Sequence, residues 1–222
     1  MPGTRIKVGV EITPKKAFAS ALDWPGWTRA GKDPEAALAA LAAAAERYAP
    51  VARKAGLEVT PKAGPRFDVV EEAPGNATTA FGAPDVRFEA DHRRVTGREA
   101  ARLASIVEAA WKVFDGVAAK APAELRKGPR GGGRDRDKIV AHVLGADGGY
   151  ARSIGIKHPE VDPGDTRARD ALRRAVLEVL RQPSDGSPIA GRKWPPRYAA
   201  RRIAWHALDH AWEIEDRSEP SA

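Results

Sequence analysis

Two histidines that lie four residues apart, His206 and His210, have the spacing in this sequence that best suits chemistry. If their segment is helical, residues at i and i+4 project from one helix face, so the two imidazoles are neighbours. Ile203 and Ile214 share that face, which predicts that the pair points into an apolar interior. A third histidine, His142, lies in the apolar stripe of a second predicted helix. The pattern therefore predicts that three imidazoles converge on one interior.

Burial of three neighbouring histidines is unfavourable unless their ring nitrogens share a ligand. Three imidazoles with an open fourth position are typical of a catalytic zinc site. We therefore predict that His142, His206 and His210 bind one divalent metal, with zinc favoured over nickel, copper or iron. The alternative is that these are core histidines with other hydrogen-bond partners. The pair is not the HExxH of zinc proteases, because no glutamate follows the first histidine.

Three carboxylates lie near these histidines in the sequence and are candidates to orient the rings. Asp147, Asp209 and Glu213 could each accept a hydrogen bond from an imidazole N–H, as partners of metal-bound histidines commonly do. The alternative is that they pair with arginines on neighbouring turns. Two tryptophans beside the pair, Trp205 and Trp212, are interpreted as packing residues rather than as platforms for a substrate.

A long loop rich in proline and glycine leads directly into the helix that carries the histidine pair. Loops at the end of a helical assembly commonly form the walls of a site, so this loop is predicted to border the mouth of the metal site. The alternative is a solvated basic loop. The residues concerned are Arg192, Lys193, Trp194 and Arg197.

The second half of the chain has the pattern of four amphipathic helices, which predicts a four-helix bundle over residues 96–217. Thr96 followed by Glu99 is a capping box that begins the first helix, and Pro122 closes it. The other three predicted helices run from about Arg136 to Ile154, from about Asp165 to Gln182 and from about Pro196 to Arg217.

The first half predicts a small β-β-α-β unit, so the fold class is α+β. Apolar residues alternate in residues 5–13, a partner strand follows at 17–23, and FDVVEE at 67–72 predicts a further strand. Asp33 caps the intervening helix, which Pro50 is expected to bend or interrupt. The predicted division is an N-terminal unit at 1–73, a linker rich in proline and glycine at 74–95, and the helical bundle at 96–217.

The two histidine-bearing segments, IAWHALDHAWEIEDR (203–217) and DKIVAHVLGADGGY (137–150), resemble helices four and two of the DinB/YfiT-like metalloenzymes. The resemblance implies a four-helix bundle with one histidine from helix two and an HxxxH pair from helix four. His142, His206 and His210 occupy those positions. It also implies reactions known in that family, which are thiol-dependent transfers or isomerisations that use a low-molecular-weight thiol, and some hydrolyses.

The segment FASALDWPGWTRAGKDPEAALAAL (18–41) is similar to the HicB antitoxin family. No helix-turn-helix follows it, so the resemblance implies an accessory module for binding or oligomerisation. Trp24 and Trp27 would either present an aromatic contact or cover the end of the small sheet. The residues that carry the similarity are Pro25, Gly26, Trp27, Gly31, Asp33, Pro34, Glu35 and Ala36.

Composition limits the classes of partner and site. The chain has no cysteine, so a metal must be held by His, Asp, Glu or backbone oxygen. The formal net charge is +7, but the arginines are dispersed rather than clustered, which argues against nucleic-acid binding. No apolar run suits a membrane span or a signal peptide, so a cytoplasmic protein is expected.

We therefore expect a metal-dependent enzyme that acts on a small-molecule substrate, either as a thiol-dependent transferase or isomerase or as a hydrolase. Homo-oligomerisation stays open. The alternative from another class is a non-catalytic, antitoxin-like regulator in which the helical part has kept only its fold. Metal analysis of the protein distinguishes the two, because the regulator needs no metal.

Overall fold

A four-stranded sheet is the first element of the fold, and it confirms the α+β class predicted from the sequence. The computed structural model describes residues 5–58, 65–128 and 132–218. The strand order is β3-β2-β1-β4; β1 pairs antiparallel with β2 and parallel with β4, and β2 pairs antiparallel with β3. The strands are β1 (Ile6–Thr13), β2 (Lys16–Ala21), β3 (Thr28–Gly31) and β4 (Phe67–Pro74).

Strand β3 is an addition to the predicted β-β-α-β order. It follows a tight turn in which Gly26 has φ of +89°, a conformation that favours glycine. A Cβ at Gly26 would also lie 2.6 Å from a methyl carbon of Leu208, so the turn approaches a distant helix too closely for a side chain. The segment before β3 is rich in residues that favour turns. For this reason the sequence did not predict the short strand that follows the turn.

Two short helices, α1 (Pro34–Ala43) and α2 (Ala45–Lys54), lie between β3 and β4 in place of the one predicted. Asp33 caps α1 as predicted, because its side chain accepts a hydrogen bond from the backbone N–H of Ala36. The break falls at Ala44 rather than at Pro50, which lies inside α2. The interruption is slight, since helix-type hydrogen bonds continue on both sides of Ala44.

The sheet is covered on both faces. Val8 and Val10 share one face with the alanines of β2, and α1 contacts three of the strands. The opposite face carries Glu11 and Phe18, and Phe18 packs edge-on against Trp205 with ring centroids 6.2 Å apart. Burial on both faces explains why β1 contains a nearly continuous run of buried residues rather than a strict alternation.

The segment predicted as a linker, 74–95, contains α3 (Ala77–Phe81) and a 3-10 turn at Glu89–His92. Its path over the sheet is fixed by Glu11, which is buried and whose carboxylate accepts the backbone N–H groups of Asp85 and Val86 at 2.6–3.1 Å. These contacts involve backbone groups, so they leave no periodic signal in the sequence. The division into an N-terminal unit at 1–73, a linker at 74–95 and a helical part at 96–217 stays a prediction.

Four longer helices complete the fold, and their bounds agree with the predicted ones to within two residues. Helix α4 contacts α6 and α7, and α5 also contacts α6 and α7. None of the helices in the described part of the chain is both long and apolar enough to cross a bilayer. The helices are α4 (Gly97–Lys120), α5 (Arg136–Ser153), α6 (Thr166–Leu180) and α7 (Pro196–Ser218).

Helix α7 joins the sheet to the other helices, because it is buried on nearly all sides. Its Trp205 contacts Phe18 of β2, and its C-terminal part binds α2 through hydrogen bonds from Arg47 to Glu215. One continuous hydrophobic core therefore includes residues of the sheet and of all four longer helices.

Replacement of Thr96 by alanine is expected to destabilise the protein by about 1 kcal/mol, because α4 loses its cap. The Thr96 hydroxyl accepts the N–H of Glu99, and the Glu99 carboxylate accepts the N–H of Thr96, which forms the predicted capping box. Urea unfolding of the variant measures the loss. Thr96→Ser keeps the hydroxyl and should unfold like the wild type; equal loss in both variants would contradict the capping role.

Candidate metal centre

The three predicted ligands come together where α5 crosses α7. His206 and His210 lie one turn apart on α7, on a face that also carries Ile203 and Ile214, both buried. His142 projects from α5 toward the same point. His206 is the most deeply placed of the three, at 7% exposure, whereas His142 and His210 are partly buried. The structure thus brings together the histidines selected from their spacing.

The three rings form a compact triangle. Their centroids are 5.0 Å apart for His142 and His206, 4.9 Å for His142 and His210, and 4.7 Å for His206 and His210. The Nε2 atoms of His142 and His206 lie 3.2 Å apart. One ligand nitrogen from each ring can be chosen so that all three lie within 4.8 Å of one another.

These distances can be compared with a tetrahedral zinc site. With zinc–nitrogen bonds of about 2.0–2.1 Å, neighbouring ligand nitrogens lie about 3.3 Å apart. The contact between His142 and His206 already has this length. The largest separation in the group, up to 4.8 Å, requires a ring to move by about 1.5 Å, which side-chain rotation can supply. The residues therefore fit a divalent metal with three nitrogen ligands and an open position.

Glu213 orients His210. Its carboxylate lies 2.7 Å from Nδ1 of His210, and its other oxygen accepts a hydrogen bond from Arg217 at 2.6 Å. A proton on Nδ1 of His210 that is donated to Glu213 leaves Nε2 with a free lone pair for a metal. The hydrogen bond with His210 lowers the pKa of Glu213 and so keeps it a carboxylate.

Burial keeps two of the imidazoles neutral, which is the form that binds a metal. It lowers the pKa of His206 to about 2, and it also lowers the pKa of His142. The Nδ1 atom of His206 is buried and has no hydrogen-bond partner among the described residues. No hydrogen bond between Nδ1 and the described residues orients this ring, which packs against Tyr150 and Trp205 at centroid distances of 5.6 and 6.1 Å.

Of the three carboxylates considered for orienting the histidines, only Glu213 contacts an imidazole. Asp147 is buried against α4 and α6, where it accepts a hydrogen bond from Trp111 and lies 3.6 Å from Arg173. Burial raises the pKa of Asp147 to about 7. Asp209 lies 3.6 Å from Arg29 of β3. Both aspartates therefore lie close to an arginine instead of a histidine, which was the alternative considered from the sequence. These arginines belong to other elements of the fold and not to neighbouring turns of the same helix.

The two tryptophans beside the histidine pair are packing residues, as predicted. Trp205 is 4% exposed and Trp212 2% exposed. Trp212 is covered by the guanidinium groups of Arg29 and Arg47, whose central carbons lie 5.0 and 5.5 Å from the ring centre.

The loop before α7 contributes one side chain near the histidines. Trp194 packs against Tyr150, which in turn contacts His206. Arg192 and Lys193 are exposed. Arg197, predicted to border the mouth, is instead buried in an ion pair with Glu99, with a hydrogen bond of 2.6 Å. Arg197 lies in the first turn of α7, where it is buried. The prolines before it led to the prediction that it belongs to the loop.

Sequence reasoning did not single out Arg202, which lies one turn before His206 on the same face of α7. Its guanidinium covers the rings of Trp205 and Tyr150. The spacing of four residues between Arg202 and His206 was the available signal. It was hidden among the other arginines of this region, Arg192, Arg197 and Arg201.

Comparisons of this chain with protein-family models, with curated proteins and with solved structures found no match.

Proposed function

We propose that this protein is a divalent-metal-dependent enzyme, with zinc as the favoured metal and His142, His206 and His210 as its protein ligands. The observation that carries the proposal is the triangle of imidazoles from α5 and α7, whose ligand nitrogens lie within 4.8 Å. In this proposal α4–α7 form a four-helix bundle of the DinB/YfiT-like type, and the sheet with α1 and α2 is a HicB-like accessory module in a cytoplasmic protein.

The side chains around the triangle would each have a defined part. Glu213 accepts a hydrogen bond from the Nδ1–H group of His210, which leaves the Nε2 lone pair free for a metal. Burial keeps His206 neutral, and Tyr150 covers one edge of its ring. A divalent metal with an open position lowers the pKa of a bound thiol or water and so supplies a nucleophile at neutral pH. Because the chain has no cysteine, a thiol would be a small molecule from outside.

Two reactions follow from that chemistry, and both use small-molecule substrates. In the first, a low-molecular-weight thiol adds to an electrophile, as in the thiol-dependent transferases and isomerases of the resembling family. In the second, water attacks the carbonyl carbon of an ester or amide, the C–O or C–N bond breaks, and an acid and an alcohol or amine are released. The rival proposal, a non-catalytic regulator, does not account for three imidazoles held in contact at the crossing of two helices.

We expect the metal-free protein to take up one equivalent of zinc and to gain activity only when it is loaded. The measurement combines metal analysis after dialysis with two assays on the loaded chain: consumption of cysteine or glutathione with an electrophilic acceptor, and hydrolysis of a nitrophenyl ester. Activity in the thiol assay assigns transfer, and activity in the ester assay alone assigns hydrolysis. Activity that survives complete metal removal would contradict the proposal.

A pH series supplies an internal control, because only deprotonated imidazoles bind the metal. Zinc occupancy should be complete at pH 8 and should fall as the pH drops below the reference value for histidine of about 6.5. The lowered pKa values of His142 and His206 delay this loss, since protons compete less well for these two rings. Adventitious zinc on surface carboxylates would instead be lost at lower pH and from several sites. An absence of zinc uptake at pH 8 favours the regulator.

A further inference from the structure

Arg202 is a partly buried arginine that has no carboxylate partner in the described part of the chain. Its Nη1 donates a hydrogen bond to the carbonyl oxygen of Pro84 at 2.7 Å, and the hydroxyl of Tyr150 is a second polar neighbour of the guanidinium. Its central guanidinium carbon lies 4.9 Å from the ring centre of Trp205 and 5.8 Å from that of Tyr150. The group is therefore held in place by aromatic faces and by one carbonyl, and no carboxylate of the described residues pairs with its charge.

The two fully buried arginines of the same helix are differently placed. Arg197 donates to Glu99, and Arg201 forms a two-point ion pair with Asp91. A guanidinium that is partly removed from water is unfavourable unless an anion accompanies it. Arg202 is the exception among these three, and it is also the one that lies on the histidine face of α7. This placement points to an anion that comes from outside the protein.

The aromatic neighbours of Arg202 extend from the histidines toward the surface. Tyr150 contacts the ring of His206, and Trp194 contacts Tyr150 with centroids 5.2 Å apart and ring planes tilted by 41°. Both Tyr150 and Trp194 are partly exposed. Flat aromatic surfaces of this kind bind planar ligands by stacking, and a few polar groups set the ligand's orientation.

We infer that Arg202, Tyr150 and Trp194 form a recognition wall beside the metal centre, and that the wall selects ligands that join a planar unsaturated group to a carboxylate. The carboxylate would accept N–H groups of Arg202, whose planar guanidinium matches the geometry of two carboxylate oxygens. The planar group would lie against Tyr150 and Trp194. The inference rests on the proposed function for the identity of this ligand as the substrate.

The test compares benzoate with benzamide, which has the same planar ring and no charge. Titrations are followed by ligand-observed NMR on the full chain, both zinc-loaded and metal-free. We expect the wild type to bind benzoate more tightly than benzamide. Arg202→Met should weaken benzoate binding by about 10- to 100-fold, the range for hydrogen bonds to a charged group, and should leave benzamide binding unchanged. Trp194→Leu should weaken both ligands.

The matched control is Arg98→Met, which removes the same charge from an exposed position at the start of α4 and should leave both affinities unchanged. If Arg202→Met fails to fold, Arg202→Lys keeps the charge and the alkyl stem, and it should still bind benzoate less tightly than the wild type. Equal binding of benzoate and benzamide by the wild type overturns the inference, as does a benzoate affinity that is the same in the wild type and in both Arg202 variants.

Failure of the inference is distinguishable from failure of the proposed function. If zinc binds but benzoate shows no dependence on Arg202, the wall is wrong and the metal centre stands. If zinc does not bind, the preference for benzoate in the metal-free chain still tests Arg202, because that contact does not use the imidazoles. Direct coordination of benzoate by zinc would appear as a preference that is lost in His206→Gln and kept in Arg202→Met, and this outcome also overturns the inference.

Discussion

Replacement of His206 by alanine is expected to lower zinc affinity by more than about a hundredfold, so that the dialysed protein holds almost no metal. The estimate divides the roughly 10–16 kcal/mol of a four-ligand zinc site among its ligands, about 3 kcal/mol each. His206 is the most buried of the three histidines, and its Nε2 lies 3.2 Å from Nε2 of His142. Competition with a zinc chelator measures the affinity.

Three variants make this result specific. His92→Ala removes an exposed histidine and should leave zinc occupancy at one equivalent. His142→Ala alters a less buried ring and should lose zinc with less disturbance of the core. Glu213→Gln should weaken zinc by about 10- to 100-fold, because it alters the acceptor that orients His210. Full occupancy in folded His206→Ala and His142→Ala would show that the histidines are core residues and not ligands.

Replacement of Arg201 by leucine is expected to destabilise the protein by about 3–5 kcal/mol, which is the largest stability effect that we predict. Arg201 and Asp91 are 4% and 1% exposed, and their two hydrogen bonds measure 2.5 and 3.0 Å. Without the arginine, the N–H of Phe88 is the one hydrogen-bond donor that the described residues offer to the buried Asp91 carboxylate. Urea unfolding monitored by two probes gives the change in free energy.

A second substitution separates the unpaired charge from lost packing. In Asp91→Asn/Arg201→Leu the buried charge is absent, while the asparagine oxygen can still accept the N–H of Phe88. The double variant should therefore be more stable than Arg201→Leu alone. If the two variants are equally unstable, the loss comes from packing against Phe88 and Tyr198, over whose rings the Arg201 guanidinium lies.

The convergence of the three histidines could be predicted because its signal is local. Spacings of three and four residues place His206, His210 and Ile203 on one helix face, and the apolar stripe of α5 places His142 inward. In a helix of this length, packing of the apolar stripe fixes the rotation of the helix about its axis, and so it also fixes the direction in which each histidine points. Glu213 was among three candidates for the same reason. Glu213 follows His210 by three residues, so the two side chains lie on the same face of the helix and can contact each other. Asp209 adjoins His210 in the sequence and points instead toward β3.

The parts that could not be predicted depend on contacts between distant segments. The Glu11 carboxylate in β1 accepts hydrogen bonds from the backbone of Asp85 and Val86. The sequence around these residues contains no pattern that predicts this contact. Arg197, Arg201 and Arg202 look alike in the sequence. Only the three-dimensional structure shows that two of them have carboxylate partners and that the third lies beside the histidines without one.

The position of α7 in the chain has a consequence for how the protein is made. This helix covers one face of the sheet through Trp205 and also carries two of the three histidines, yet it leaves the ribosome after every other element described above. During synthesis Phe18 of β2 therefore lacks its contact with Trp205 until α7 docks. The same docking step brings His206 and His210 to His142. Zinc uptake by nascent chains would then mark the moment at which the sheet is closed.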